Sequence, residues 1–123
     1  MLLKYTHAIS GDFTDLSKFN FKGVYVICDK DDVVYIGSAY ARTIKERLEQ
    51  YTSVFDTGNT LGKAVAKRLS KSRKYDQAAK ARLKEAINTI LTFTIYAFKH
   101  DDLEYELIEC AKPIYNNYGK KED

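Results

Sequence analysis

The sequence predicts an α+β fold, a small three-stranded antiparallel sheet flanked by helices, and three patterns lead there. Two β-branched and aromatic runs, GVYVI and VVYIG, stand on either side of the acidic turn CDKDDV and read as an antiparallel hairpin. The run LTFTIYAF, residues 91–98, alternates so that Leu91, Phe93, Ile95 and Ala97 share one face of a third strand. Between hairpin and third strand, Leu61, Val65 and Leu69 recur at the spacing of an amphipathic helix.

A chain of 123 residues suits one domain with one core, because a second core would leave each half near the size at which folding is marginal. A hydrophobic fraction of 45%, a single Pro and charge spread along the chain exclude a disordered polypeptide. The sequence holds ten Tyr and no Trp, and most of those tyrosines are expected at half-buried sheet and interface positions. Cys28 and Cys110 form neither a CxxC pair nor a secreted cysteine framework and are expected as reduced core residues. MLLKYTHAIS has no basic stretch followed by a long apolar run, and no segment approaches the ~18 apolar residues of a membrane span. The expectation is a soluble, intracellular protein of cytoplasm or nucleoid, without a membrane partner.

Residues 1–22 read as an arm packed on the domain, with one helical turn at Asp15-Leu16-Ser17-Lys18. After the hairpin, Thr43 caps a helix over residues 44–51, since Glu46 stands in the capping-box position. A basic helical segment follows at 60–90, carrying Lys63, Lys67, Arg68 and Lys71 on its first helix and Arg73 and Lys74 just beyond. Residues 77–88 continue as a helix with Ala78, Ala81, Leu83 and Ile87 available for burial. After the third strand, Asp101 or Asp102 caps a last helix, DLEYELIECA, which Pro113 ends. His7 and His100 have no metal-ligand spacing and are expected at the surface.

Net charge is +3, unevenly distributed. Residues 41–90 hold twelve Lys and Arg against five Asp and Glu, a net of +7; the remainder holds eight against twelve, a net of −4. A basic middle of this kind is either a solvated helix face or the footprint of a polyanion.

Gly23-Val24-Tyr25, then Tyr35-Ile36-Gly37, then Arg47, then Glu104 with Leu107-Ile108, Pro113 and Asn116 form an ordered set. Nine residues separate the two tyrosines, and the glutamate helix reads E-x-x-L-I-x-x-x-x-P-x-x-N. Taken singly, the tyrosines are strand-packing aromatics and Glu104 is a first-turn acid favoured by the helix dipole. As a set they resemble the GIY-YIG nuclease family over residues 23–118. Lys45 competes for the position of that family's arginine, and Arg47 is preferred because Leu48 and Tyr51 follow it as the family's apolar residue and its His or Tyr do.

The resemblance implies a divalent-metal-dependent DNA endonuclease. Glu104 would hold one Mg²⁺ (or Mn²⁺), an ion that takes few carboxylates and keeps its waters. Arg47 would grip the phosphate with its planar fork. One of Tyr25 and Tyr35 would activate water; Tyr25 is assigned the base, with Tyr35 aligning water or phosphate. Tyr51 would bond phosphate or move a proton, and Asn116 would support the site. Lys45, Lys63, Lys67, Arg68, Lys71, Arg73 and Lys74 would contact DNA, while Gly23 and Gly37 allow close backbone approach, Gly37 also turning the strand end into the helix. No zinc or helix-turn-helix motif accompanies the domain, so specificity would come from its loops, a partner or DNA shape. The alternative is a catalytically weak nucleic-acid-binding module of the same fold; a protein-interaction domain would leave the basic excess unexplained.

Overall fold

A computed structural model describes residues 8–53 and 59–99. His7, His100, Glu104, Cys110, Pro113, Asn116 and the expected last helix lie outside the described residues.

The architecture is α+β. Strands β1 (Ile9–Asp12), β2 (Gly23–Asp29), β3 (Asp32–Ala39) and β4 (Thr94–Phe98) form one antiparallel sheet in the order β1-β4-β2-β3. The three expected strands are therefore joined by a fourth. β1 pairs Ile9 with Ala97 and Asp12 with Thr94 at the sheet edge. Its four residues, ISGD, are mostly exposed, so no alternation of apolar and polar side chains announces them.

The hairpin forms as expected, through a two-residue connection in which Lys30 takes a left-handed φ of 59°. Tyr25 pairs with Gly37 and Ile27 with Tyr35, after which the register shifts so that Cys28 faces Val33. This bulge leaves Val34 as an extra residue. At the other end of β2, Gly23 has φ 156°, and a Cβ there would collide with the Phe98 carbonyl oxygen of β4. Glycine is required by the closeness of the two chains.

Helix α1 (Ile44–Tyr51) starts at the expected capping box: the Glu46 amide donates to Thr43 Oγ1 (3.2 Å) and the Thr43 amide to Glu46 Oε1 (2.9 Å). Ile44, Leu48 and Tyr51 are its buried face. Helix α2 (Thr60–Ser70) is capped by Asn59 and buries Leu61, Ala64, Val65 and Ala66. The helix expected over 77–88 is split into α3 (Gln77–Ala81), capped by Asp76, and α4 (Leu83–Ile90). At the break, Arg82 has φ −95° and ψ 2°, and its amide bonds Ala79 O at 3.0 Å. The buried positions are correspondingly Ala79, Ala86 and Ile90, while Ala78 and Ala81 are exposed. The turn expected at Asp15 to Lys18 is a short 3-10 helix, Ser17–Phe19, one step later, and Phe19 is fully buried.

The helices cover one face of the sheet. Tyr25, Ile27, Tyr35, Phe93, Ile95 and Ala97 pack there against Phe19, Leu48, Tyr51 and Leu61 in one core cluster. Full burial of each large apolar side chain contributes about 1.5–3 kcal/mol. Val24, Val26, Cys28, Val33 and Ile36 form a second buried cluster, into which the alternate residues of β2 point. Among the described residues, no helix is long and apolar enough to cross a membrane.

Candidate active site

Three tyrosines from three elements converge on the helical face of the hairpin. Tyr25 comes from β2, Tyr35 from β3 and Tyr51 from the last turn of α1. The ring centroids of Tyr25 and Tyr35 lie 6.4 Å apart, those of Tyr25 and Tyr51 6.2 Å, and those of Tyr35 and Tyr51 5.7 Å. Side-chain alternation requires Tyr25 and Tyr35 to share a face, because each pairs with a residue two along the strand from the other tyrosine. Gly37 makes the packing possible: a Cβ there would lie within 2.6 Å of Tyr25 Cζ. Gly37 thus sits inside β3 and accommodates a ring, and does not turn the strand into the helix as its sequence position suggests.

The hydroxyls form a chain. Tyr51 donates to Tyr35 at 3.5 Å, and Tyr25 and Tyr51 share a hydrogen bond of 2.5 Å. Since Tyr51 has one proton, Tyr25 is the donor in that second bond. The Tyr35 hydroxyl lies 3.4 Å from Thr60 Oγ1, at the exposed start of α2. The chain therefore runs from the interior, where Tyr25 and Tyr51 are 1% and 0% exposed, outward to the surface.

Arg47 runs alongside the chain, bonding Tyr25 at its inner end and Thr60 at its outer end. It lies one turn before Tyr51 on α1, with its guanidinium carbon 4.9 Å from the Tyr51 ring centroid. Nη1 donates to Gln50 Oε1, and Nη2 to Thr60 Oγ1 at 3.3 Å. Lys45 takes the other side of the helix, in an ion pair with Glu49 at 3.0 Å. Of the two candidates, it is Arg47 that adjoins the tyrosines.

Burial, then the neighbouring Tyr51 and Tyr35, push the Tyr25 phenol well above its ordinary range. Burial and then Tyr35 do the same to Tyr51, with Arg47 opposing. Both are neutral donors at physiological pH. Burial alone would lower the Arg47 pKa, but Tyr51, Tyr25 and Tyr35 outweigh it, and the guanidinium stays charged.

The basic residues begin at the same place. Thr60, Lys63 and Lys67 follow one another at three- and four-residue steps, so they lie along one stripe of α2, with Arg68 beside it and Lys71 at the left-handed C-cap. The Lys63 ammonium sits 5.5 Å from the Tyr75 ring centroid; Arg68, Lys71, Arg73 and Lys74 are at least partly exposed.

Among the described residues no group of three or more His, Cys, Asp or Glu could hold a metal ion. The donor set around the tyrosines is hydroxyls and a guanidinium, so a hard carboxylate ligand is sought in Glu104, outside the described residues along with Asn116.

Thr60, Gln50 and Asn59 are not legible in the sequence as site residues. Asn59 has a local signal, the Asn-x-x-Gly spacing in which Gly62 donates to its Oδ1 at 2.8 Å and leaves room for it. Thr60 has none, because its partners come from α1 and β3. No protein-family model matches the chain, and comparison with curated proteins and with solved structures finds no match.

Proposed function

We propose that the protein is a divalent-metal-dependent DNA endonuclease that hydrolyses phosphodiester bonds. The observation that carries this reading is Arg47, a charged fork held against a three-tyrosine hydroxyl chain and reaching Thr60, where a basic stripe of α2 begins. An arginine presented in this way binds a phosphate and stabilises charge as it develops there.

In this reading the stripe of Lys63 and Lys67, with Lys71 at the C-cap, holds the DNA backbone and leads a phosphate to Arg47. When bound, Mg²⁺ or Mn²⁺ supplies positive charge to the non-bridging phosphate oxygens, and Glu104 is the residue we assign to hold it. Tyr35, acting as the phenolate, takes the proton from the attacking water and becomes the phenol, because its oxygen is the one that reaches the exposed Thr60. Tyr25 is deeper, and its hydroxyl is shared between Tyr51 and Arg47. These roles reverse the assignment made from the sequence. Tyr25 and Tyr51 then orient Tyr35 through the hydroxyl chain.

A second reading, a nucleic-acid-binding module of the same fold, is favoured by the near-complete burial of all three rings, Tyr35 itself being 4% exposed. One experiment separates the two. Supercoiled, linear, branched and single-stranded DNAs are incubated with the protein and Mg²⁺ or Mn²⁺, and products are mapped. Metal-dependent cutting that is lost in Arg47→Ala and Glu104→Ala supports the nuclease. Binding without cutting under every condition supports the module.

A further inference from the structure

We propose that Thr60 is the positioning residue that brings Arg47 and Tyr35 to a common point, an inference that rests on the nuclease reading above. Its Oγ1 is 3.3 Å from Arg47 Nη2 and 3.4 Å from the Tyr35 hydroxyl. A hydroxyl has two lone pairs and one proton, so Thr60 accepts from Arg47 Nη2 while its own proton is free to go to the Tyr35 oxygen. Thr60 thus ties β3 to α1 through a single side chain from a third element, and the two groups it joins are the ones assigned to water and phosphate.

The hydroxyl is available for this because Thr60 does not cap its own helix. The cap is Asn59, whose Oδ1 accepts from the Gly62 amide at 2.8 Å and whose Nδ2 donates to Ser53 O at 3.0 Å. Asn59 is 1% exposed, so the backbone presenting Thr60 is anchored in the core while the Thr60 side chain stands at the surface. Gln50 holds Nη1 of Arg47 and Thr60 holds Nη2, with Tyr25 bonding the side chain as well, and partners on separate elements define the plane of the fork. Orientation of that plane matters to a bidentate phosphate contact, and it matters to chemistry more than to binding. Since Thr60 is exposed, its hydroxyl adds little to the core, and its removal is expected to spare the fold.

The test is a comparison of wild type, Thr60→Val and Thr60→Ser, with single-turnover cleavage, KM, DNA affinity in Ca²⁺ and thermal melting measured for each. Wild-type cleavage comes first: a protein that cuts none of the DNAs overturns the nuclease reading and this inference with it. Given cleavage, Thr60→Val should lower kcat about 10- to 100-fold with KM, affinity and melting near wild type, and Thr60→Ser should restore most of the rate. Wild-type kcat in Thr60→Val overturns the positioning role and leaves the nuclease reading standing. So does a raised KM at unchanged kcat, which makes Thr60 a DNA contact, or equal loss in Thr60→Ser, which makes the methyl group responsible.

Discussion

Gly37 and Tyr25 compete for one place in the sheet: a methyl group on residue 37 would lie 2.5 Å from the Tyr25 hydroxyl oxygen. The two are cross-strand partners, and the ring lies over the strand where a side chain is missing. Gly37→Ala should therefore push the ring outward and break its bond to Tyr51, costing about 1–3 kcal/mol in urea unfolding and most of the cleavage rate. Tyr25→Phe separates the two effects, since it keeps the ring and removes the hydroxyl. A Gly37→Ala protein as stable and active as wild type would mean that the ring has room to move.

Arg47→Ala should lose cleavage by about 100- to 1,000-fold, while Lys45→Ala stays close to wild type. The difference follows from Arg47 facing Tyr51 and Thr60 and from Lys45 facing Glu49. Rates for both variants under saturating Mg²⁺ check it, and a larger loss in Lys45→Ala would reverse the assignment.

Alkaline pH should destabilise the fold. Burial raises Tyr25 and Tyr51 above the ordinary phenol value of 10.0, and it raises Cys28 from 9.0 to about 11, with Asp31 and Asp32 adding to the shift. A group whose pKa rises on folding contributes stability that is fully present below its unfolded pKa and is lost as pH climbs through the folded value. Unfolding free energy should thus be level from neutral pH to about 9 and fall above it, the thiol first and the phenols next. Urea titrations from pH 7 to 11 measure this. For cleavage, Tyr25→Phe should keep part of the wild-type rate, and Tyr35→Phe should lose it.

Neutralising Lys63, Lys67 and Lys71 together should weaken DNA binding on all sequences alike. The slope of log affinity against log salt should fall by about one unit for each phosphate that no longer meets a lysine. Binding isotherms at several salt concentrations report the slope. An unchanged slope would make the stripe a solvated helix face.

Asn59→Ala should cost roughly 1–3 kcal/mol, because it removes the cap of α2 and leaves the Gly62 amide and the Ser53 carbonyl without their Asn59 partner. Chemical denaturation measures the loss, and Asn59→Asp should recover the cap without the bond to Ser53.

What can be read from the sequence is what is encoded locally. Thr43 and Glu46 announce α1 three residues apart, and the hairpin strands are announced by their composition. Gly37 stands out in the sequence but its role does not, because its partner Tyr25 is brought opposite by strand register. The same applies to Thr60, which meets Arg47 and Tyr35 across elements. The break at Arg82 has no Gly or Pro to mark it, and the edge strand at Ile9 to Asp12 is too short and too exposed to show a period. The basic stripe is visible as a charge excess; its junction with Arg47 needs α1 and α2 in place.

The strand order sets a schedule for folding. Among the described strands β1 has one neighbour, β4, and their pairing joins Asp12 to Thr94 across most of the described chain. The β2–β3 hairpin and α1 are contiguous and close small loops, so they can form while the chain is still being made. The first described strand must instead wait for the last described one to complete its place in the sheet. During that interval β2 also lacks β4, its second neighbour, so its free edge is open to pairing with another nascent chain before the sheet is complete.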